Sequence, residues 1–169
     1  MKIFTPTLRF RRFTEVTPER LRQLGVSAVL TDLDDTLAPR NVFLPDEEVR
    51  RWINTIAAAG IRVAIVSNNH EKRARTFAEP LGIPWVSEAK KPGKKAIQTM
   101  LRTLNAKPEE TVLLGDQLFT DVTGAHRCGL RVILVDPVGT YGGWFVQLKR
   151  KLEIPLRKKI PYTETLPDA

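Results

Sequence analysis

Val26-Ser27-Ala28-Val29-Leu30-Thr31-Asp32-Leu33-Asp34-Asp35-Thr36-Leu37 joins a short apolar run to a cluster of carboxylates. Residues 26–30 read as a buried strand, and a strand that ends in acids is an unusual thing to build. Packed carboxylates repel one another, so each favours solvation or protonation. Such a cluster persists most readily beside a hard cation with oxygen ligands, typically Mg²⁺. Side chains two apart on an extended segment share a face, so Asp32 and Asp34 can point into one site.

Further apolar runs at residues 61–66, 84–86, 111–114 and 130–135 read as strands, and helical patterns separate them. Val49, Trp52, Ile53 and Ile56 fall at i, i+3, i+4 and i+7, a stripe that ends before Gly60. Ala74, Phe77, Ala78 and Leu81 repeat the spacing, with Pro80 expected to end or kink that helix. Ile97, Met100, Leu101 and Leu104 repeat it again. Alternating strands and helices predict an α/β fold of three layers, Rossmann-like, with a central parallel sheet. Ligands in such folds sit beyond the carboxyl ends of the strands. There the polar residues gather: Asp32 and Asp34 after the first run, Ser67-Asn68-Asn69 after the second, Lys90-Lys91-Pro92 after the third, Gly115-Asp116 after the fourth, then Asp121.

The chain has 169 residues, 42% apolar and 27% charged, which suits one soluble domain with a full core. Its lone Cys128 excludes an internal disulfide and fits a reducing compartment. No apolar stretch is long enough to span a bilayer, and the N-terminus lacks a signal-peptide core. A cytoplasmic location is expected. No His/Cys set has zinc spacing. The net charge of +8 is concentrated at the ends, in Arg9, Arg11 and Arg12 and around residues 149–159. It attracts anionic lipid, phosphorylated substrates or nucleic acid alike. The organisation read from these features is a basic N-terminal segment (1–25), a catalytic core (26–140) and a basic C-terminal segment (141–169). In the last, Trp144, Phe145, Leu148 and Leu152 fall at helical spacing among lysines and arginines, as in an interfacial amphipathic helix.

These motifs resemble those of the haloacid dehalogenase-like (HAD) phosphatases. DxDxT is matched by Asp32, Asp34 and Thr36. The strand-ending Ser or Thr is Ser67, the motif lysine is Lys91 with Lys90 as competitor, and GDxxxxD is Gly115, Asp116 and Asp121. The likeness covers roughly residues 26–136 in the family's order. DLDxTL, VSNN, KKPGKKA and GDQLFTDV narrow it to the YqeG-type branch of subfamily IIIA, similar to phosphatidylglycerophosphate phosphatases.

The resemblance implies a Mg²⁺-dependent phosphatase working through an aspartyl-phosphate. Asp32 is then the nucleophile and Asp34 the general acid and base. Ser67 and Lys91 bind the phosphoryl group. The Asp32 carboxylate, the Asp34 backbone carbonyl and Asp116 hold the metal, and Asp121 orders the metal's waters or Lys91. Asn68 and Asn69 supply donors or turn structure. Asp35, at a variable position, has no assigned chemistry. His70 reads as a helix cap. Intervals between motifs are too short for a substantial cap domain, and residues 38–44 form at most a small flap. The expected substrate is phosphatidylglycerophosphate, met by peripheral association with the inner face of the membrane. The alternatives are a soluble phosphate ester or phosphoprotein, a receiver-type domain, or a non-catalytic RNA-binding or ribosome-associated protein. The intact DxDxT argues against the receiver, and no RNA-recognition motif supports nucleic acid.

Overall fold

The structure, a computed structural model, describes residues 2–139 and 142–164. Strands β1 (Leu8–Phe10), β2 (Ala28–Thr31), β3 (Arg62–Val66), β4 (Trp85–Val86), β5 (Thr111–Gly115) and β6 (Arg131–Val135) form one sheet. Every pairing is parallel, and the order is β1-β6-β5-β2-β3-β4. Helices α1 (Pro18–Gln23), α2 (Glu47–Ala58), α3 (Glu71–Ala78), α4 (Lys95–Thr103) and α5 (Thr123–Arg127) lie between strands, and α6 (Trp144–Arg157) follows β6.

Successive strand residues feed two separate cores. Val29, Val63, Ile65, Val112, Leu114 and Ile133 pack with α1, α2 and α3. Ala28, Leu30, Ala64, Val66, Leu113 and Val132 pack with α4 and α5. This alternation turns each continuous apolar run into a strand buried on both faces, and it produces the expected three layers. Asp46 starts α2 by accepting the Val49 N–H at 2.9 Å. Helix α3 stops at Ala78, and a 3₁₀ turn over Glu79–Leu81 accommodates Pro80, which has no N–H to continue the ladder.

The N-terminal boundary needs correction. Residues 1–25 were expected to flank the core, but they supply edge strand β1 and helix α1, and Phe10, Phe13, Val16 and Leu21 are buried. The Trp52 indole N–H donates to Val16 O at 2.8 Å and its ring meets Phe13 edge-on at 5.4 Å, which locks this segment onto α2. Thr17 followed by Pro18 is the helix-start signal, and the Thr17 side chain accepts from Arg20 N–H. The 140/141 boundary and residues 165–169 lie outside the described residues.

Helix α6 forms where the spacing predicts it, but its orientation inverts the usual pattern. Trp144 is 78% exposed, Phe145 57% and Leu152 56%. The inward face is charged: Arg150, the fully buried Glu153, and Arg157. No helix among the described residues is long and apolar enough to cross a membrane. The connection from β2 to α2 holds a short flap at residues 38–44 and no inserted domain.

Candidate active site

From β2 the chain fills one side of the sheet through β3 and β4, then returns to the other side with β5 and β6. The crevice beyond the carboxyl ends of β2 and β5 is therefore the switch point at which open α/β sheets bind ligands. Asp32 leaves β2, Ser67 leaves β3, Lys91 follows β4, and Asp116 leaves β5. All four side chains are buried.

Lys91 Nζ lies 2.9 Å from Asp32 Oδ1 and 2.7 Å from Asp121 Oδ1. Lys90 is exposed with φ of +52°, so Lys91 is the lysine in the site. Its loop is clamped by Asn68, whose carbonyl accepts the Lys91 N–H at 2.7 Å and whose amide donates to Lys91 O at 3.2 Å. Asn69 donates to Asp34 Oδ2 at 2.7 Å, and its N–H donates to Ser67 Oγ at 3.1 Å. The Ser67 hydroxyl is left with its own proton to donate. His70 caps α3.

Asp121 is placed by a π-helical turn over Leu118–Val122, a local irregularity common at functional sites. Its Oδ2 accepts the Gln117 N–H at 3.1 Å. Gly115 makes room for it, because a Cβ there would fall 2.4 Å from the Asp121 Cγ. Thr36 donates to Asp116 Oδ1 at 3.3 Å, while Asp116 Oδ2 is buried with no partner.

Asp32, Asp116 and Asp121 each bring one oxygen within 4.8 Å of the others. The Asp32 carboxyl is raised to about 7, chiefly by burial, with Lys91 opposing the rise and Asp121 and Asp34 adding to it. Burial, then Asp121, Asp32 and Asp35, hold Asp116 well above the carboxylate range. For Lys91 burial works against the charge, but Asp121 and Asp32 outweigh it and raise its pKa. Three buried acids against one ammonium leave a deficit of positive charge that a divalent cation fits. Both Asp121 oxygens are engaged, by Lys91 and by Gln117, so Asp32 and the orphaned Asp116 Oδ2 are the freer donors.

Several residues here were not picked out from sequence. Buried Arg73 donates from Nε to Asp34 Oδ1 at 3.1 Å. It precedes Phe77 by one helical turn, so the spacing marked it as inward-facing. Asp35 is fully buried with φ of +66° and pairs with Arg40 at 2.7 Å and Arg150 at 2.8 Å. It ties the motif loop to the flap and to α6. Glu153 accepts the Phe119 N–H at 2.9 Å, and Arg157 donates to Asp116 O and to Val135 O. Helix α6 thus braces the loop that carries Asp116 and Asp121.

The site opens into a cavity of about 240 Å³ lined by Asp32, Asp34, Asn69, Arg40, Val146 and Lys149 among others. A larger groove of about 740 Å³ between the N-terminal segment and the C-terminal tail contains none of the motif residues.

The sequence model of the haloacid dehalogenase-like hydrolases matches residues 5–129, and the chain belongs to that family. Within it, the chain is 39% identical over 152 residues to the probable phosphatase YqeG of Bacillus subtilis, covering 90% of this chain and 88% of that protein. The enzyme is a phosphatase of this branch. A subfamily III A hydrolase from Legionella pneumophila superimposes with a TM-score of 0.53 at 23% identity, covering 74% of each chain. The 3-deoxy-D-manno-octulosonate 8-phosphate phosphatase of Yersinia pestis gives 0.55 at 21%, covering 83% of this chain and 72% of that one. These two likenesses concern the fold.

A pH-dependent response to divalent cations is expected from the acid cluster. The folded-state pKa of Asp32 is raised from 3.8 to about 7, so between those values the folded chain binds more protons than the unfolded one. The contribution of Asp32 to metal-free stability therefore falls as pH rises through that window, and the raised Asp116 acts in the same direction. A divalent cation held by this cluster would compete with those protons, so its stabilisation would grow over the same range. Thermal unfolding at fixed Mg²⁺ is expected to show a small shift at the acid end and a larger one above neutrality. A shift of constant size, or one that survives Asp116→Asn undiminished, would contradict this.

Proposed function

We propose that the enzyme is a Mg²⁺-dependent phosphatase that works through an aspartyl-phosphate on Asp32, with phosphatidylglycerophosphate at a membrane surface as its substrate. The observation that carries the chemistry is Lys91 bridging Asp32 and Asp121 at 2.9 and 2.7 Å beside the partnerless Asp116 Oδ2. Asp32 and Asp116, with the Asp34 backbone carbonyl, would hold the Mg²⁺. When bound, the ion offsets repulsion between an anionic nucleophile and an anionic phosphate.

The Asp32 carboxylate attacks phosphorus, the ester P–O bond breaks, and Asp34 gives its proton to the leaving alkoxide. Arg73 and Asn69 hold the Asp34 carboxyl in place for that transfer. Asp34 then takes a proton from the water that attacks the acyl phosphate, releasing phosphate and restoring Asp32. Ser67 donates its hydroxyl to a phosphoryl oxygen, and Lys91 neutralises a second. Positioning and electrostatics carry most of such a reaction. Asn68 and Asn69 serve as clamps on Lys91 and Asp34.

The membrane part is supported by the inverted helix. Its outward Trp144, Phe145, Leu148 and Leu152 lie on the helix that also lines the cavity, and the flap adds exposed Phe43 and Leu44. Apolar side chains beside Lys149 and Lys151 suit an anionic interface. Because α6 also braces the site, its removal would confound the test. Substitution of Trp144 and Phe145 by serine leaves the inward face intact. That variant is expected to lose about a hundredfold or more in affinity for anionic vesicles, read by co-sedimentation, since each large apolar side chain buried is worth about 1.5–3 kcal/mol. Unchanged binding by the folded variant would refute membrane docking.

Phosphate release from micellar phosphatidylglycerophosphate and from soluble esters, with and without Mg²⁺, tests the substrate. Metal-dependent selectivity for the lipid is expected. Activity confined to soluble esters would discard the lipid and keep the chemistry.

A further inference from the structure

Charge is divided unevenly across the cavity. Asp32 lines its floor and, with Asp116 and Asp121 behind it, shares the single ammonium of Lys91. Arg40 and Lys149 line its rim. Behind the rim, Arg40 and Arg150 both pair with Asp35, at 2.7 and 2.8 Å, Arg73 holds Asp34 at 3.1 Å, and Arg40 lies 3.8 Å from Asp34. Lys149 lines the same cavity, its ammonium 4.9 Å from the centre of the Phe145 ring, and it pairs with no carboxylate among the described residues. The floor's deficit suits a divalent cation, whereas Arg40, Arg73 and Arg150 are already matched to Asp34 and Asp35, so Lys149 is the rim cation without a counter-charge among the described residues and calls for an anion. The scissile phosphate must lie on the floor beside Asp32, so the rim is left for a different anionic group.

The geometry points to a second-anion subsite formed by Lys149 with Arg40: the substrate is a phosphate monoester that carries another anionic group a few bonds from the scissile phosphate. This rests on the phosphatase mechanism above. Arg40, Lys149 and Asp32 line one cavity of about 240 Å³, which sets that short separation. Lys149 supplies a mobile point charge on a flexible stem, whereas Arg40 is already oriented by Asp35. A phosphodiester in a lipid headgroup and a carboxylate on a soluble ester present the same chemistry to these groups.

The test compares kcat/KM for glycerophosphoryl-glycerophosphate, the acyl-free headgroup with its diester, for phosphoglycolate, which carries a carboxylate, and for glycerophosphate, which has no second anion. Each is measured with Mg²⁺ on wild type, Lys149→Met and Lys149→Arg. Wild type is expected to prefer at least one doubly anionic ester over glycerophosphate by about tenfold or more. Lys149→Met should lower that ratio about tenfold, mainly through KM, and Lys149→Arg should keep most of it. Preference for the diester assigns the subsite to a headgroup, and preference for phosphoglycolate assigns it to a soluble acid; either supports the subsite. Hydrolysis of all three without preference, or an equal loss on all three in Lys149→Met, would overturn the subsite and leave the phosphatase mechanism standing. Hydrolysis of none would overturn the subsite, since the headgroup alone presents both anions; failure on micellar phosphatidylglycerophosphate as well would overturn the mechanism.

Discussion

Asp32→Asn is expected to abolish turnover, by about 10⁴-fold or more, while the fold stays intact. Asparagine has nearly the same shape, so it fits the buried position, which is 5% exposed in the wild type. Its amide cannot attack phosphorus to form an acyl phosphate. The substitution also removes a charge that burial, Asp121 and Asp34 all oppose, and Lys91 keeps Asp121 at 2.7 Å. Above neutrality, the metal-free variant should therefore unfold at a temperature equal to or higher than the wild type. Catalysis and stability move in opposite directions, which distinguishes a lost nucleophile from a damaged fold. Circular dichroism, thermal unfolding and phosphate release would check it. A folded variant that hydrolyses substrate at the wild-type rate would show that the nucleophile is misassigned.

Lys91→Met should have the largest effect on stability. The ammonium is buried between Asp32 and Asp121, with Asp116 beside them. Methionine fills the space but leaves three buried carboxylates with no cation. Removing one partner from a buried ion pair costs about 3–5 kcal/mol. Because Lys91 lowers the Asp32 pKa, the loss should grow as pH rises through about 7, where wild-type Asp32 ionises beside the ammonium, and be smaller in acid or with Mg²⁺, since protons or a divalent ion replace the missing charge. Lys90→Met is the control: Lys90 is exposed and should change stability by no more than about 0.5 kcal/mol. Denaturant unfolding of both variants across pH would decide it. A Lys91→Met protein as stable as the wild type in metal-free alkaline buffer would refute the charge argument.

The two variants differ because Asp32 and Lys91 enter the site by different routes. Asp32 is announced by its strand: an apolar run that ends in acids is legible in one dimension. Lys91 is not, since Lys90-Lys91 offers two identical side chains, and only the clamp from Asn68 and the burial of one of them distinguishes the pair. Arg73 lay between these cases. Its place one turn before Phe77 is a signal that could have marked it as inward-facing, but nothing in the sequence named Asp34 as its partner, 39 positions away.

The C-terminal helix shows the limit most clearly. Its spacing identified a helix with an apolar stripe, and that was correct. The usual inference would turn the stripe inward. Here the inward face carries Arg150, Glu153 and Arg157, because the surface that receives the helix presents Asp35, the Phe119 N–H and the Asp116 carbonyl. Burying charge on that side is favourable only because each group meets an opposite partner.

By itself, then, the sequence determined the parallel α/β sheet, the order of the motifs at its carboxyl edge and the acids that gather there, since those depend on local periodicity and strand ends. Only the tertiary structure decided which lysine is buried against Asp32, that the N-terminal segment completes the sheet, which arginines hold Asp34 and Asp35, and which way α6 faces. These depend on partners far apart in the chain, and a buried charge takes its position from where its counter-charge lies.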